Sequence, residues 1–491
     1  MSELGGKVKR GFAWDMAGSL FNQVSGLLIT IFLARLLTPE EFGVVALAMV
    51  FISLTSVFTD VGFTQGLIQR EKVDNGHYNS IFLVNISLSF VMGGIIYLSA
   101  GMIGDFYDSE EVVHVVKYLS LIPIIASFGM VHRSILVRKM KFKELSLRTA
   151  ICSVFGGIIG ITAAFYGEGA FSLVWKQLAS ELIGVIVFWW GSKWIPDLRF
   201  SMSKVKDLFS FSQFVFFDAL VRTFFDRLDT LFIGKVFSPE ILGLFGRAKS
   251  LNLIVSDYTT NSIRKVMFPA LSSIQHEPKR FNTVFLRIVT ISSAGSVLLA
   301  GIMFFIAEPF ILIVLGEQWK GAISIFKILV FVTLVSPHIG INAQAILSRG
   351  FSKTKLYMNG VHRSLALMPM IIGFFYGIEI FTLTLVLVKF TVLFVYILFA
   401  QKKLQISWWE QWKRILITFI PFLAFIVLFH FLTPFAYQLF DISHLYIDVI
   451  KAFLFAVVYL GYLKTINHEL YNLLWDIISK GKKWIHQIKR K

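Results

Sequence analysis

Apolar stretches of about 20 residues alternate along this chain with short polar segments. A helix rises about 1.5 Å per residue, so about 20 apolar residues cross the roughly 30 Å hydrocarbon core of a bilayer. The pattern predicts an all-α polytopic membrane protein of about fourteen transmembrane helices. The predicted spans cover residues 12–36, 41–63, 79–101, 113–133, 147–166, 169–191, 208–235, 240–262, 284–307, 322–346, 358–376, 378–400, 414–433 and 446–463.

Three short segments of the first half of the chain reappear in the second half, in the same order. Arg35-Leu-Leu-Thr-Pro-Glu-Glu-Phe-Gly43 matches Lys235-Val-Phe-Ser-Pro-Glu-Ile-Leu-Gly243 at an offset of 200. Residues 134–138 match 345–349 at an offset of 211, and residues 166–173 match 376–383 at an offset of 210. Each half thus holds an even number of spans and enters the membrane from the same side, as in transporters built from parallel repeats.

The repeat predicts two six-helix lobes followed by two extra helices. The N-lobe covers residues 1–192, a cytoplasmic linker covers 193–207, and the C-lobe covers 208–401. Two further spans lie within 402–463, and residues 464–491 form a basic amphipathic tail on the inner membrane surface.

Composition and charge agree with a membrane protein. Hydrophobic residues make up 56% of the chain and charged residues 16%, against about 25% charged in soluble domains. The net charge of +17 arises because most Lys and Arg lie in segments predicted to be cytoplasmic. The predicted external loops hold only Arg35, Lys235 and Lys320, which places both termini in the cytoplasm of a multi-pass inner-membrane protein. The expected partners of this basicity are anionic membrane lipids, and not nucleic acid.

No motif for catalysis or for a cofactor is present. The single cysteine, Cys152, lies in an apolar stretch and cannot build a metal cluster, and no phosphate-binding Gly-x-x-x-x-Gly-Lys loop occurs. We therefore expect neither an enzyme nor a protein with a metal or cofactor.

A charged stripe in the seventh predicted span is the main candidate for a transport site. Asp218, Arg222, Asp226 and Asp229 fall within about 80° of one another on a helical wheel, whereas Arg227 points the opposite way. A charge at mid-bilayer costs about 2.5–3.5 kcal/mol, so the stripe must face protein or a water-filled cavity. Either it is a ladder of ion pairs at i, i+4 spacing, or it binds substrate or a coupling ion, with Arg222 gripping an anion.

Other positions are weaker candidates for substrate binding or gating. Four of the charged residues inside predicted spans are candidates of this kind: Arg247, Lys249, Lys176 and Glu181. Pro337 and Pro369 are expected to interrupt the tenth and eleventh spans, because a mid-span proline removes a backbone donor and bends the helix. Such bends are either gates or static kinks.

Several motifs resemble the polysaccharide transporter family (Wzx-like and teichuronic-acid-type flippases) of the multidrug/oligosaccharidyl-lipid/polysaccharide superfamily. They are Phe12-Ala-Trp14, Leu33-Ala-Arg-Leu-Leu-Thr-Pro-Glu-Glu-Phe-Gly43, Asp226-Arg-Leu-Asp-Thr-Leu-Phe-Ile-Gly234 and Met267-Phe-Pro-Ala-Leu-Ser272. The resemblance implies two lobes around a central cavity and a polyprenyl-diphosphate-linked oligosaccharide as substrate. It also implies movement of that substrate from the inner to the outer leaflet by alternating access, for lipopolysaccharide biosynthesis or polysaccharide export. Polymerases and glycosyltransferases of the same pathway are then expected partners.

Two other functions stay open at this point. The first is a cation-coupled drug or small-molecule antiporter of the same superfamily (MATE-like), which usually has twelve spans. The second is an integral-membrane polysaccharide polymerase or glycosyltransferase, which needs charged residues on sizeable external loops. The longest predicted external loop, residues 433–446, holds only one acid, Asp441, and no base.

Overall fold

The computed structural model describes the backbone of residues 2–439 and 444–466, and the side-chain surroundings of Trp14 and of residues 18–253, 267–433 and 445–465. The described residues form helices and no strand, which confirms the predicted all-α class. By contacts the chain divides into a first unit, Met1–Gly246, and a second unit, Arg247–Lys491. The predicted tail falls almost entirely outside the described residues.

The helices of the first unit are α1 (Ser2–Leu36), α2 (Pro39–Asp60), α3 (Phe63–Gln69), α4 (Asn75–Tyr107), α5 (Glu110–Leu119), α6 (Leu121–Arg138), α7 (Phe142–Phe165), α8 (Phe171–Ser192) and α9 (Met202–Val236). Helix α10 (Pro239–Ser273) begins in the first unit and continues into the second. The helices of the second unit are α11 (Pro278–Phe305), α12 (Ala307–Val314), α13 (Ala322–Ser348), α14 (Ser352–Leu365), α15 (Met368–Tyr376), α16 (Ile378–Leu404), α17 (Trp408–Leu439) and α18 (His444–Ile466), with a 3-10 turn at Glu317–Trp319.

Twelve helical segments of the described chain are long and apolar enough to cross a membrane, and each coincides with a predicted span. The predicted span 240–262 lies within α10, and the predicted span 358–376 is divided between α14 and α15. The predicted total of about fourteen is therefore not confirmed. The assignment of the two lobes and the linker boundaries also stays a prediction.

The two prolines expected to interrupt helices differ in their outcome. Pro369 occupies the first turn of α15, where a missing N–H costs nothing, and residues 366–367 separate it from α14. Pro337, by contrast, lies inside α13, which runs without a break from Ala322 to Ser348. The expected interruption at Pro337 is thus corrected: the helix accommodates the proline.

A core of apolar side chains joins helices α3, α4, α6 and α9 in the first unit. Its buried members are Phe63, Leu67, Ile81, Phe82, Val131, Ile135 and Leu208. Gly66 allows α9 to lie close, because a Cβ on it would be 2.8 Å from the Ser212 hydroxyl oxygen. Both ends of α9 are therefore packed against other helices of the first unit, since Ile233 and Gly234 near its end are buried as well.

The repeated loops at 35–43 and 235–243 meet within the first unit in a reciprocal contact. A Cβ built on Gly43 would lie 1.7 Å from the Pro239 carbonyl oxygen, and one on Gly243 would lie 1.8 Å from the Pro39 carbonyl oxygen. Only glycine allows the first turns of α2 and α10 to approach this closely. The sequence match at an offset of 200 thus corresponds to a symmetric backbone contact.

The two helices outside the repeat, α17 and α18, pack on α11 in the second unit. A Cβ on Gly301 of α11 would lie 2.0 Å from the Phe455 ring of α18. Phe455 also lies with its ring centroid 5.6 Å from that of Phe305 and 5.7 Å from that of Phe422. These aromatic contacts fix α17 and α18 to the body of the second unit.

Candidate functional site

The charged stripe predicted on the seventh span lies on α9, in a stretch whose side chains are largely uncovered. Asp218, Arg222 and Asp226 are exposed, and Asp229 is half-buried. The most apolar window of this helix is only 11% buried, compared with 50% for the window of α2. Helix α9 contacts the other helices of the first unit through other positions, and the side chains of the stripe remain largely exposed.

The structure does not form the ladder of ion pairs that the i, i+4 spacing allows. Among the described residues, neither Asp218 nor Asp226 lies within ion-pair distance of Arg222. Asp229 accepts hydrogen bonds from the Thr230 backbone N–H at 2.8 Å and from the Thr230 hydroxyl at 3.3 Å. The guanidinium of Arg222 is therefore available to an anion, and the carboxylates of Asp218 and Asp226 to a cation.

An exposed charge on a helix that crosses a membrane needs an explanation. Facing lipid, each charged group of the stripe would cost about 2.5–3.5 kcal/mol. That cost disappears if water, an ion or a polar ligand covers the charges. The arrangement thus favours a polar, water-accessible surface along α9.

Arg247 and Lys249 lie in the third turn of α10 and are both half-buried. The guanidinium of Arg247 lies 5.7 Å from the centroid of the Trp319 ring, which is fully buried. This cation–π contact holds the Arg247 side chain against Trp319 within the second unit. Their predicted role in substrate binding stays a prediction.

Lys176 and Glu181 lie on α8, where Glu181 has a partner that the sequence analysis missed. The Arg148 guanidinium of α7 donates to the Glu181 carboxylate at 3.2 Å, and both side chains are about one quarter exposed. The guanidinium also lies 4.9 Å from the Phe188 ring centroid. Gly184 makes room for it, because a Cβ there would be 2.4 Å from the guanidinium. Glu181 thus has a structural partner within the first unit.

Lys176 runs along a seam of small residues on α7. A Cβ on Gly160 would lie 2.8 Å from the Lys176 Cβ, and one on Gly156 would lie 3.0 Å from the Lys176 carbonyl oxygen. The stem of Lys176 is therefore packed between helices. A signal for the Arg148–Glu181 pair was present, since both residues lie inside predicted spans, but the sequence does not say which charges meet.

The described residues include no group of three or more His, Cys, Asp or Glu side chains that could hold a metal ion. The charged stripe of α9 carries both signs of charge. Arg222 is its one guanidinium, among the carboxylates of Asp218, Asp226 and Asp229. Such a surface offers guanidinium donors to an anion and carboxylate oxygens to a cation.

Known proteins resemble this chain in sequence. The teichuronic acid biosynthesis protein TuaB of Bacillus subtilis is 25% identical over 353 residues, which cover 70% of this chain and 73% of TuaB. The lipopolysaccharide biosynthesis protein WzxC of Escherichia coli is 22% identical over 332 residues, 67% of each chain. The succinoglycan biosynthesis transport protein ExoT of Rhizobium meliloti is 25% identical over 302 residues, 60% of each chain.

Solved structures resemble its fold. The lipid II flippase MurJ, in an inward closed conformation, superimposes with a TM-score of 0.71 over 93% of this chain and 99% of that chain, at 14% identity. An inward-facing multidrug resistance MATE family transporter of the MOP superfamily superimposes with a TM-score of 0.59 over 78% of this chain and 94% of that chain, at 16% identity. The predicted MATE-like fold is thereby confirmed.

The family assignment follows from a match along the sequence. The model of the family described as polysaccharide biosynthesis protein matches residues 32–324, more than half of the chain. The region includes the Pro39–Gly43 loop, its repeat at Pro239–Gly243 and the charged stripe of α9. The predicted resemblance is confirmed: the chain is a multi-pass membrane protein that belongs to the polysaccharide biosynthesis protein family.

Proposed function

We propose that this protein is a flippase that moves polyprenyl-diphosphate-linked oligosaccharides from the inner to the outer leaflet of the bacterial cytoplasmic membrane. The exposed Arg222 of α9, with Asp218 and Asp226 beside it, carries the proposal. A diphosphate and several sugars cannot cross hydrocarbon unassisted, because each unsatisfied polar group costs several kcal/mol there. A polar surface along a spanning helix replaces the water that the headgroup loses, while the polyprenyl tail stays in lipid.

The comparisons support this class of function over an enzyme. One relative is named as a succinoglycan biosynthesis transport protein, and two others are named for the biosynthesis of teichuronic acid and lipopolysaccharide. Polysaccharide polymerases and glycosyltransferases are then neighbours in the same pathway and not activities of this chain.

In the proposed mechanism, Arg222 binds the diphosphate. The planar guanidinium can donate two parallel hydrogen bonds to phosphate oxygens, which a lysine ammonium cannot do. Asp218 and Asp226, one turn to either side, orient the guanidinium once the anion is bound, or exchange a proton or cation. The lobes then alternate in access, with Pro337 and Pro369 as candidate gating positions and both termini in the cytoplasm.

The site is tested by flipping in liposomes with three variants. We expect Arg222→Ala to slow transfer of a labelled polyprenyl-diphosphate oligosaccharide by about 10- to 150-fold, because a hydrogen bond to a charged group contributes about 1.5–3 kcal/mol. Arg222→Lys keeps the charge but loses the bidentate geometry, so its transfer rate should lie between those of wild type and Arg222→Ala.

Arg227→Ala is the matched control, since Arg227 lies on the opposite side of the same helix. It removes the same charge and leaves the stripe intact. The proposal fails if folded Arg222→Ala protein transfers substrate as fast as wild type, or if Arg227→Ala slows transfer equally. Protein that moves small cations but no oligosaccharide would instead be an antiporter, with Asp218 and Asp226 as its ion site.

A further inference from the structure

The segment between α8 and α9 is an ordered connection on the surface of the first unit. Residues 193–201 form no helix, and the spanning helices that they join end at Ser192 and begin at Met202. The Asp197 backbone N–H donates to the Asn79 side-chain oxygen at 3.0 Å, and the Ser201 backbone N–H donates to the Ser80 hydroxyl at 2.9 Å. We call residues 193–202 the strap; its backbone is fixed to the start of α4.

Side chains on the inner side of the strap strengthen this attachment. The Trp194 ring lies 5.7 Å from the Phe82 ring, 6.0 Å from the Tyr78 ring and 5.2 Å from the His132 ring, between centroids. Directly after the strap, the Lys204 ammonium donates to the Asp74 carboxylate at 2.6 Å. The strap therefore cannot fold its outward side chains inward without breaking these contacts.

The outward side of the strap is strongly apolar. Its exposed side chains, with the exposed fraction of each, are Ile195 (80%), Leu198 (75%), Phe200 (51%) and Met202 (55%). Large apolar side chains held outward in this way can insert into the boundary region of a membrane. Beside them, a cavity of about 510 Å³ is lined by Met202, Ser203, Lys206, Asp207 and Ser210.

Basic residues alternate with these apolar side chains. Residues 193–206 contain four bases, Lys193, Arg199, Lys204 and Lys206, and a single acid, Asp197. The side chain of Arg199 is 89% exposed and pairs with Asp197 at 3.1 Å. Apolar side chains interleaved with bases suit the boundary between acyl chains and anionic headgroups, where the apolar parts insert and the bases meet phosphate.

The geometry points to a binding surface for anionic phospholipid on the strap. The occupant is a lipid surface, because the strap joins two helices that are long and apolar enough to cross a membrane and therefore lies at one face of that membrane. The bases of the strap favour anionic headgroups over neutral ones. An anionic membrane surface raises the local concentration of each nearby base about fivefold. This surface is separate from the charged stripe of α9 and does not depend on which substrate the protein moves.

The experiment uses the single cysteine of the chain. Cys152 is buried and small, so Cys152→Ala provides a full-length background with no thiol. Leu198→Cys or Ile195→Cys then carries an environment-sensitive fluorophore, in nanodiscs of phosphatidylcholine with or without phosphatidylglycerol. Glu71→Cys, at an exposed position in the loop before α4, is the matched control. Quenching is measured with spin-labelled phosphatidylglycerol, spin-labelled phosphatidylcholine and aqueous iodide.

We expect the Leu198 and Ile195 probes to be quenched at least fivefold more strongly by spin-labelled phosphatidylglycerol than by spin-labelled phosphatidylcholine, and weakly by iodide. Lys193→Gln with Arg199→Gln should remove most of that preference while the thermal midpoint is unchanged. The Glu71 probe should respond mainly to iodide. The inference is overturned if iodide quenches the strap probes as strongly as the Glu71 probe, a result that would indicate a soluble partner for the strap. It is also overturned if the two spin-labelled lipids quench the strap probes equally in protein that keeps Lys193 and Arg199.

Discussion

Replacing Gly43 by alanine tests the reciprocal contact between the two repeated loops. The new Cβ would lie 1.7 Å from the Pro239 carbonyl oxygen, whereas real Cβ atoms are essentially never found closer than 3.0 Å. The backbones of α2 and α10 must therefore move apart by more than 1 Å, since the atom in the way is not the end of a flexible side chain. Overpacking of this kind costs about 1–3 kcal/mol. The better helix propensity of alanine returns only about 0.5–1 kcal/mol.

The assay is the apparent thermal midpoint of purified protein in detergent. Gly94→Ala in α4 is the matched control, because no atom lies within 4 Å of its new Cβ, and it should leave the midpoint equal or raise it. Gly43→Ala and Gly243→Ala should each lower it. The double variant should lose less than the sum, because one separation of the backbones relieves both clashes. Equal midpoints for Gly43→Ala and Gly94→Ala, or full additivity of the two repeat variants, would refute the reciprocal contact.

Two further predictions concern ionic contacts in the first unit. Arg148→Ala should lower the thermal midpoint, with a cost of about 1–3 kcal/mol, because it leaves the Glu181 carboxylate without its partner. The double variant Arg148→Ala, Glu181→Gln should have a higher thermal midpoint than Arg148→Ala alone. A lower midpoint for the double variant would count against the ion pair. The Lys204 ammonium, and after it His77, holds the pKa of the Asp74 carboxyl below its ordinary value of 3.8. A lowered carboxyl pKa stabilises the fold above the unfolded-state value, and this stabilisation is lost as the pH falls from there through the folded-state value. Asp74→Asn should therefore flatten the acid-side fall of the thermal midpoint below about pH 4, and an unchanged fall would contradict this role of Asp74.

The helical architecture could be predicted because its signal is local. Apolar runs of about 20 residues gave spans that twelve helices of the described chain match, and the motifs around Pro39 and Asp226 gave the family. The two predicted spans without a match are 240–262, which lies inside the longer helix α10, and 358–376. At 358–376 the helix is divided next to Pro369, which the proline itself indicated. At Pro337 the same residue type lies within an intact helix, where it is buried among the other core residues of α13.

Long-range pairing could not be predicted in the same way. The sequence shows the offset of 200 between the repeated loops. It does not show that Gly43 and Gly243 each lie against the proline of the other loop. The helical period placed Asp218 and Arg222 on one stripe, as the structure has them, but the spacing alone left open whether they pair. Arg148 escaped notice because its partner lies 33 residues away on another helix.

The measurement that tests the flippase proposal most directly compares two labelled lipids in liposomes that contain the purified protein. One is a polyprenyl-diphosphate oligosaccharide, and the other is a neutral glycolipid with the same sugars and no phosphate. A membrane-impermeant probe reports the leaflet that holds the sugar. The account predicts protein-dependent transfer of the diphosphate-linked lipid and little transfer of the neutral one. Equal transfer of both lipids, or none of the diphosphate-linked lipid by folded protein under an imposed ion gradient, would contradict it.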